Sequence, residues 1–87
     1  MSRAEDDKPK ITYPCLWTFA VIGTSEDELR TAIRQVVGSR KHTAHFSKKS
    51  EHGKYCSLHM EMTVMSETDR NYIFEGLKSK PQIKMVL

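Results

Sequence analysis

The sequence predicts an α+β domain of the ferredoxin-like kind: a βαββαβ chain folded as a four-stranded antiparallel sheet with two helices on one face. Three observations predict it. Four segments alternate apolar and polar residues at the period of a strand. Two segments repeat apolar residues at helical spacing, each behind a serine-led cap. The elements follow one another as β, α, β, β, α, β, and each strand offers one bulky apolar face that a helix stripe can cover. By the crossover rule the first and third strands are expected side by side and parallel in the middle of the sheet.

The first strand is Cys-Leu-Trp-Thr-Phe-Ala-Val-Ile over residues 15–22. Alternation puts Cys15, Trp17, Phe19 and Val21 on a bulky face, with Trp17 and Phe19 as central core. Leu16, Thr18, Ala20 and Ile22 fall on a lighter one. Pro14 suits the start and Gly23 the end. Ser25 and Glu28 make a capping box, and Glu26, Asp27 and Glu28 favour the positive end of the helix dipole. Leu29, Ala32, Ile33, Val36 and Val37 then give one buried stripe, and Gly38 stops the helix.

Residues 41–49 read as a polar edge strand with Ala44 and Phe46 inward, its lysines discouraging aberrant pairing. Ser50 to Gly53 read as a turn. Residues 54–65 alternate again. Cys56, Leu58, Met60, Met62 and Val64 face in; Tyr55, Ser57, His59, Glu61 and Thr63 face out. A three-residue loop closing on Gly53 would pair positions that sum to 104, setting His45 opposite His59. Ser66 starts a second helix with Asp69 as a weaker box partner. Tyr72, Ile73 and Leu77 form its stripe, Gly76 allows close approach to the sheet, and Pro81 lies just past its end. In the last strand Ile83, Met85 and Leu87 are expected inward, Lys84 and Val86 outward.

The chain has 87 residues, 38% apolar and 29% charged. That length makes one domain with one modest core. Residues 1–10 are polar and charge-mixed and contain Pro9, so a disordered tail is expected there, followed by a single domain over 11–87. No apolar run approaches the ~20 residues of a membrane-spanning helix. The N-terminal residues carry no hydrophobic signal core, so a cytoplasmic protein with two reduced thiols is expected. A formal charge of +3 is too small an excess for an obligate nucleic-acid binder.

The stretch Tyr13 to Gly23 (Tyr-Pro-Cys-Leu-Trp-Thr-Phe-Ala-Val-Ile-Gly), the Gly53-Lys54-Tyr55 turn and the terminal Met85-Val86-Leu87 are similar to the small bacterial YbeD-like family, a domain of unknown function. The resemblance covers residues 11 to 87. It implies a ferredoxin-like fold resembling the ACT-type regulatory domains that bind amino acids. It also implies a cytoplasmic bacterial protein and a role in regulating lipoate metabolism. No catalytic residue is carried over from it. Relatives tend to hold charged residues where Thr18 and Ala20 stand, which favours the Trp17, Phe19 and Val21 face as the core.

Chemistry-bearing residues are sparse. His42-x-x-His45 and Cys56-x-x-His59 hint at zinc, yet residues three apart on a strand point to opposite faces, so neither pair converges. His45 and His59 survive as a cross-strand pair, with Glu61 a poor diagonal third; two ligands are half a site, and neither a metal nor a cofactor is expected. Between Arg34 and Lys54 stand six Lys or Arg and three His against Glu51 alone. Arg40, Lys41, His45, Lys48, Lys49, Lys54, Tyr55 and His59 are therefore the candidate surface for a partner or an anion. Ordinary solvation of an edge strand explains the same charges. Specific RNA binding is disfavoured, because a sheet of this topology stacks bases on exposed aromatics and the first strand offers none outward.

Leu16, Ala20, Ile22 and Val86 are expected to form an apolar strip on the open face, where a protein partner or a second copy could dock. A ligand site near Gly23, Thr24 and Ser25 would meet repulsion from Glu26, Asp27 and Glu28 if the ligand were an anion. No glycine-rich phosphate loop or nucleophile–base grouping occurs. The expected function is thus a regulatory or adaptor module without catalytic activity, binding a small ligand or a protein. The alternative is an anion- or nucleic-acid-binding module using the basic hairpin over residues 40–54.

Overall fold

The computed structural model describes residues 11–49 and 53–87. The tail expected at 1–10 and most of the turn at 50–53 lie outside the described residues. The elements are β1 (Cys15–Gly23), α1 (Glu26–Val37), β2 (His42–Lys49), β3 (Cys56–Val64), α2 (Glu67–Lys78) and β4 (Ile83–Val86). The four strands form one sheet in the order β2-β3-β1-β4, with every neighbouring pair antiparallel. This is the ferredoxin-like fold.

β1 and β3 are neighbours, as expected, but they run antiparallel. The crossover through α1 makes β1 and β2 run the same way. β3 returns from β2 as a hairpin and slots between them, so it must oppose both. The reversal also separates the two cysteines. Cys15 faces Val64 at one end of the ladder, and Cys56 faces Gly23 at the other. Eight residues of strand put them about 26 Å apart, far beyond disulfide reach, and both are free thiols.

Both helices start where their caps say. The Ser25 hydroxyl accepts from the Glu28 amide, and the Ser66 hydroxyl accepts from the Asp69 amide. Gly38, at φ 62°, closes α1 and donates to the Arg34 carbonyl. Leu29, Ala32, Ile33 and Val37 of α1 and Ile73 and Leu77 of α2 pack on Phe19, Val21, Leu58, Met60, Met62 and Val64. Gly23 lets α1 come this close. A Cβ there would stand 2.6 Å from the Gln82 carbonyl oxygen and 2.7 Å from a Leu29 methyl.

Four local expectations are corrected. Trp17 is on the covered face but only half-buried, at the rim of the core, with the Arg70 guanidinium 4.5 Å above its ring. Tyr72 is 69% exposed, because Ile73 and Leu77 already define the stripe and one residue earlier is ~100° around the helix. Phe74 packs against the core in its place. Gly76 makes its close approach to α1 rather than to the sheet: a Cβ would lie 3.0 Å from a Val36 methyl. Phe46 points to the helix side opposite Leu58 but stays exposed, since it sits on the edge strand β2.

Two one-residue irregularities change which side chains face out. In β2 the register sums to 104 from His42 to Phe46, and then Lys48 pairs with Ser57. Ser47 is the extra residue, so Lys48 takes the open-face place expected for Ser47. In β4, Ile83 faces Gly23 but Met85 faces Ile22 and Val86 faces Val21. Lys84 is extra there, and the phase inverts after it. Val86, 8% exposed, goes into the core; Met85 and Leu87 go out.

Candidate functional site: the open face of the sheet

The helices cover one side of the sheet, so the other is where the fold leaves side chains free to act. Its rows follow from the register. Leu16 lies beside Thr63, Thr18 beside Glu61 and Thr43, Ala20 beside His59 and His45, and Ile22 beside Ser57 and Lys48. On the β4 side Met85 flanks Ile22. Leu87 flanks Ala20 through a reciprocal pair of backbone hydrogen bonds of 3.0 and 2.8 Å. The face therefore has an apolar patch of Ala20, Ile22, Met85 and Leu87 where β1 meets β4, with Leu16 apart from it beyond Thr18. Leu16 is 64% exposed, Met85 52% and Leu87 69%. The expected strip is present with Met85 and Leu87 in place of Val86, and it is larger for the exchange.

The candidate basic residues divide. Lys41, His45 and Lys48 line the β2 side of the open face. His59 stands opposite His45 on β3. Lys49 follows the bulge onto the other side of the strand, opposite Cys56. Lys54 lies 5.6 Å over the ring of Tyr55, at the end of the face near Ile22 and Ser57.

Arg40 is engaged in the fold itself. It grips Asp69 through two hydrogen bonds of 2.8 and 2.7 Å and donates to the Thr63 carbonyl. The Arg40 hydrogen bonds, followed by one from the Met65 amide, hold the Asp69 carboxyl down at about 2. The same hydrogen bond pushes the Arg40 guanidinium up. This pair ties the loop after α1 to the start of α2. Asp69 was legible only as a cap residue, and nothing in the sequence joins it to a residue 29 positions earlier.

A groove of about 660 Å³ opens at this end, bounded by Leu16, Lys41, Thr43, Glu61, Thr63 and Met65 with the Arg40–Asp69 pair at its floor. Its lining mixes apolar Leu16, Met62 and Met65 with Lys41, His42, Glu61 and the Arg40–Asp69 pair. At the other end of β1 the space beside Gly23 on the covered side is taken by Leu29 and the Gln82 carbonyl. Arg30 closes part of the sheet edge by donating to the Ala44 carbonyl at 3.0 Å while paired with Glu26. Among the described residues no three His, Cys, Asp or Glu gather as metal ligands, and no helix is long and apolar enough to cross a membrane.

A small ferredoxin-like domain with a bare, amphipathic sheet face is the class of molecule so defined. Residues 8–87 match the family described as protein of unknown function DUF493, and the chain belongs to that family, the YbeD-like family. An uncharacterised protein of Helicobacter pylori (strain ATCC 700392 / 26695) is 30% identical over 84 residues, covering 97% of this chain and 98% of the relative. A UPF0250 protein of Hahella chejuensis is 29% identical, with all of each chain covered. The solution structure of protein HP0495 from H. pylori superposes with a TM-score of 0.80 at 29% identity, covering 100% of this chain and 96% of that one.

Proposed function

We propose that this domain is a regulatory or adaptor module without catalytic activity, working in the bacterial cytoplasm through the open face of its sheet. The observation that carries the reading is the apolar patch of Ile22, Met85 and Leu87, with Met85 and Leu87 exposed, lying one strand away, across β3, from His45 and Lys48. Contiguous apolar surface that the fold leaves wet marks a docking face, and a cationic flank suits an occupant carrying acidic groups. A protein partner uses the whole face, and a second copy of the chain is the simplest such partner. An ACT-type small ligand would use the groove. Its volume falls within the ~300–1,000 Å³ usual for ligand pockets, and Lys41 and Glu61 at the rim suit a small amphipathic molecule bearing both charges. The regulation of lipoate metabolism suggested by the family resemblance belongs to the same proposal.

The test is affinity capture from the native bacterium with three baits: wild type, Leu16→Glu/Met85→Glu on the open face, and Tyr72→Glu on the helix side. A partner held by wild type and Tyr72→Glu but lost by the open-face variant supports the reading. Equal capture by all three overturns it.

The lysines on the β2 side of this face, Lys41 and Lys48, support a second reading, an anion or nucleic-acid surface. Against it, Arg40 is already paired, and Tyr55 is the one aromatic the described open face offers for stacking. Binding that is weak and gone at ~150 mM salt is expected. Sub-micromolar affinity at that salt, reduced by Lys41→Glu/Lys48→Glu in a folded protein, would promote this reading over the adaptor.

A further inference from the structure

We propose that His45 and His59 form a two-imidazole chelate for a borderline divalent transition-metal ion, with Cu(II) bound more tightly than Ni(II) or Zn(II). The ladder sets the two residues directly opposite each other, and both are exposed on the open face. The hydrogen-bond pattern fixes the kind of pair. Ala20 exchanges both backbone bonds with Leu87, so its N–H and C=O point to β4, and its facing with His59 is the non-hydrogen-bonded type. His59 therefore directs its own backbone groups to β2, and its pairing with His45 is the hydrogen-bonded type. The next residue agrees: the Ala44 carbonyl points off the sheet edge and is taken by Arg30.

In such a pair the Cβ atoms stand ~5 Å apart, close enough for two imidazoles to close on one ion at ~2.0–2.1 Å per nitrogen. On the β1 side the row continues with Ala20, which presents only a methyl group. Glu61, the nearest acid on the face, accepts from the Thr18 hydroxyl at 3.3 Å. No third side chain among the described residues completes the site, so water or an exchangeable anion fills the remaining positions and the chelate stays open. The ion would join edge strand β2 to β3, and it would bind the folded chain alone, because only the ladder brings the two residues together.

His42 is the built-in control. It lies three residues from His45 on the opposite side of the strand, facing Met62, with Nδ1 2.9 Å from the Arg40 carbonyl oxygen. The experiment uses the full chain without an affinity tag, Zn(II) in calorimetry and substoichiometric Cu(II) in amide NMR. Paramagnetic broadening is expected first at residues 45 and 59 and their cross-strand neighbour Ala20. His45→Ala and His59→Ala should each weaken Zn(II) binding by about tenfold or more, and His42→Ala by less than about twofold. The NMR spectra of the variants confirm folding. Broadening centred elsewhere, unchanged affinity in both variants, or no binding by the wild-type chain would overturn the proposal.

Discussion

On its covered face the sheet carries Phe19, Val21, Leu58 and Met60, all buried, and on its open face the same strands carry Leu16, Ile22, His59 and Glu61, all reached by solvent. The two faces share every backbone hydrogen bond, so the ladder stabilises both alike. They differ in what lies above them. Burial makes the first set responsible for the stability of the fold, at roughly 25 cal/mol per Å² of apolar surface. The second set contributes little to folding, and its exposed apolar residues are the ones the proposed docking face would use.

The largest expected effect lies in the middle of the covered face. Leu58→Ala should cost about 3–5 kcal/mol, and Leu16→Ala on the open face less than about 0.5 kcal/mol, both read by urea denaturation. Similar losses for the two would erase the difference between the faces.

The rim of the covered face sharpens the contrast. Trp17, half-buried under Arg70, should cost about 2 kcal/mol on substitution by alanine, less than a fully enclosed aromatic. Gly23→Ala should cost about 1–3 kcal/mol, since the new methyl group collides with Leu29 and the Gln82 carbonyl and the strand or α1 must shift. A melting temperature equal to wild type would show that α1 does not rest on this strand end.

The groove end should show a smaller, pH-dependent effect. Asp69→Asn should cost about 1 kcal/mol at pH 7, discounted because solvent still reaches the Arg40 guanidinium. The Asp69 carboxyl titrates lower in the folded chain than in the unfolded one, so the contribution is complete above about pH 4. It is lost as pH falls toward about 2. Wild type should therefore converge on Asp69→Asn across that window; a constant gap would place the stabilisation elsewhere.

Element types, caps and the inward residues of β1 and β3 were legible because alternation and helical spacing act over neighbours in sequence. The His45–His59 pairing was legible too, since the hairpin runs in one register from His42 to Phe46. What escaped was everything that breaks or outruns a local period. Ser47 and Lys84 each insert one residue, and parity carries no sign of an insertion until the partner strand is known; hence Lys48, Met85 and Val86 changed faces. The antiparallel run of β1 and β3 follows only when crossover and hairpin are considered together. The Arg40–Asp69 pair and the Gly76–Val36 approach join distant segments, and no sequence spacing encodes them.

Val21 and Ile22 are adjacent on β1 and look in opposite directions, Val21 to the helices and Ile22 to the open face. Urea denaturation of Val21→Asp and Ile22→Asp puts the same charge on each side of the same strand. Ile22→Asp should stay within about 1 kcal/mol of wild type, because solvent still reaches the new carboxylate. Val21→Asp should lose at least about 3 kcal/mol, or fail to fold, because a buried charge there has no partner. Equal losses, or the reverse order, would contradict the assignment of the folding core to the covered face alone.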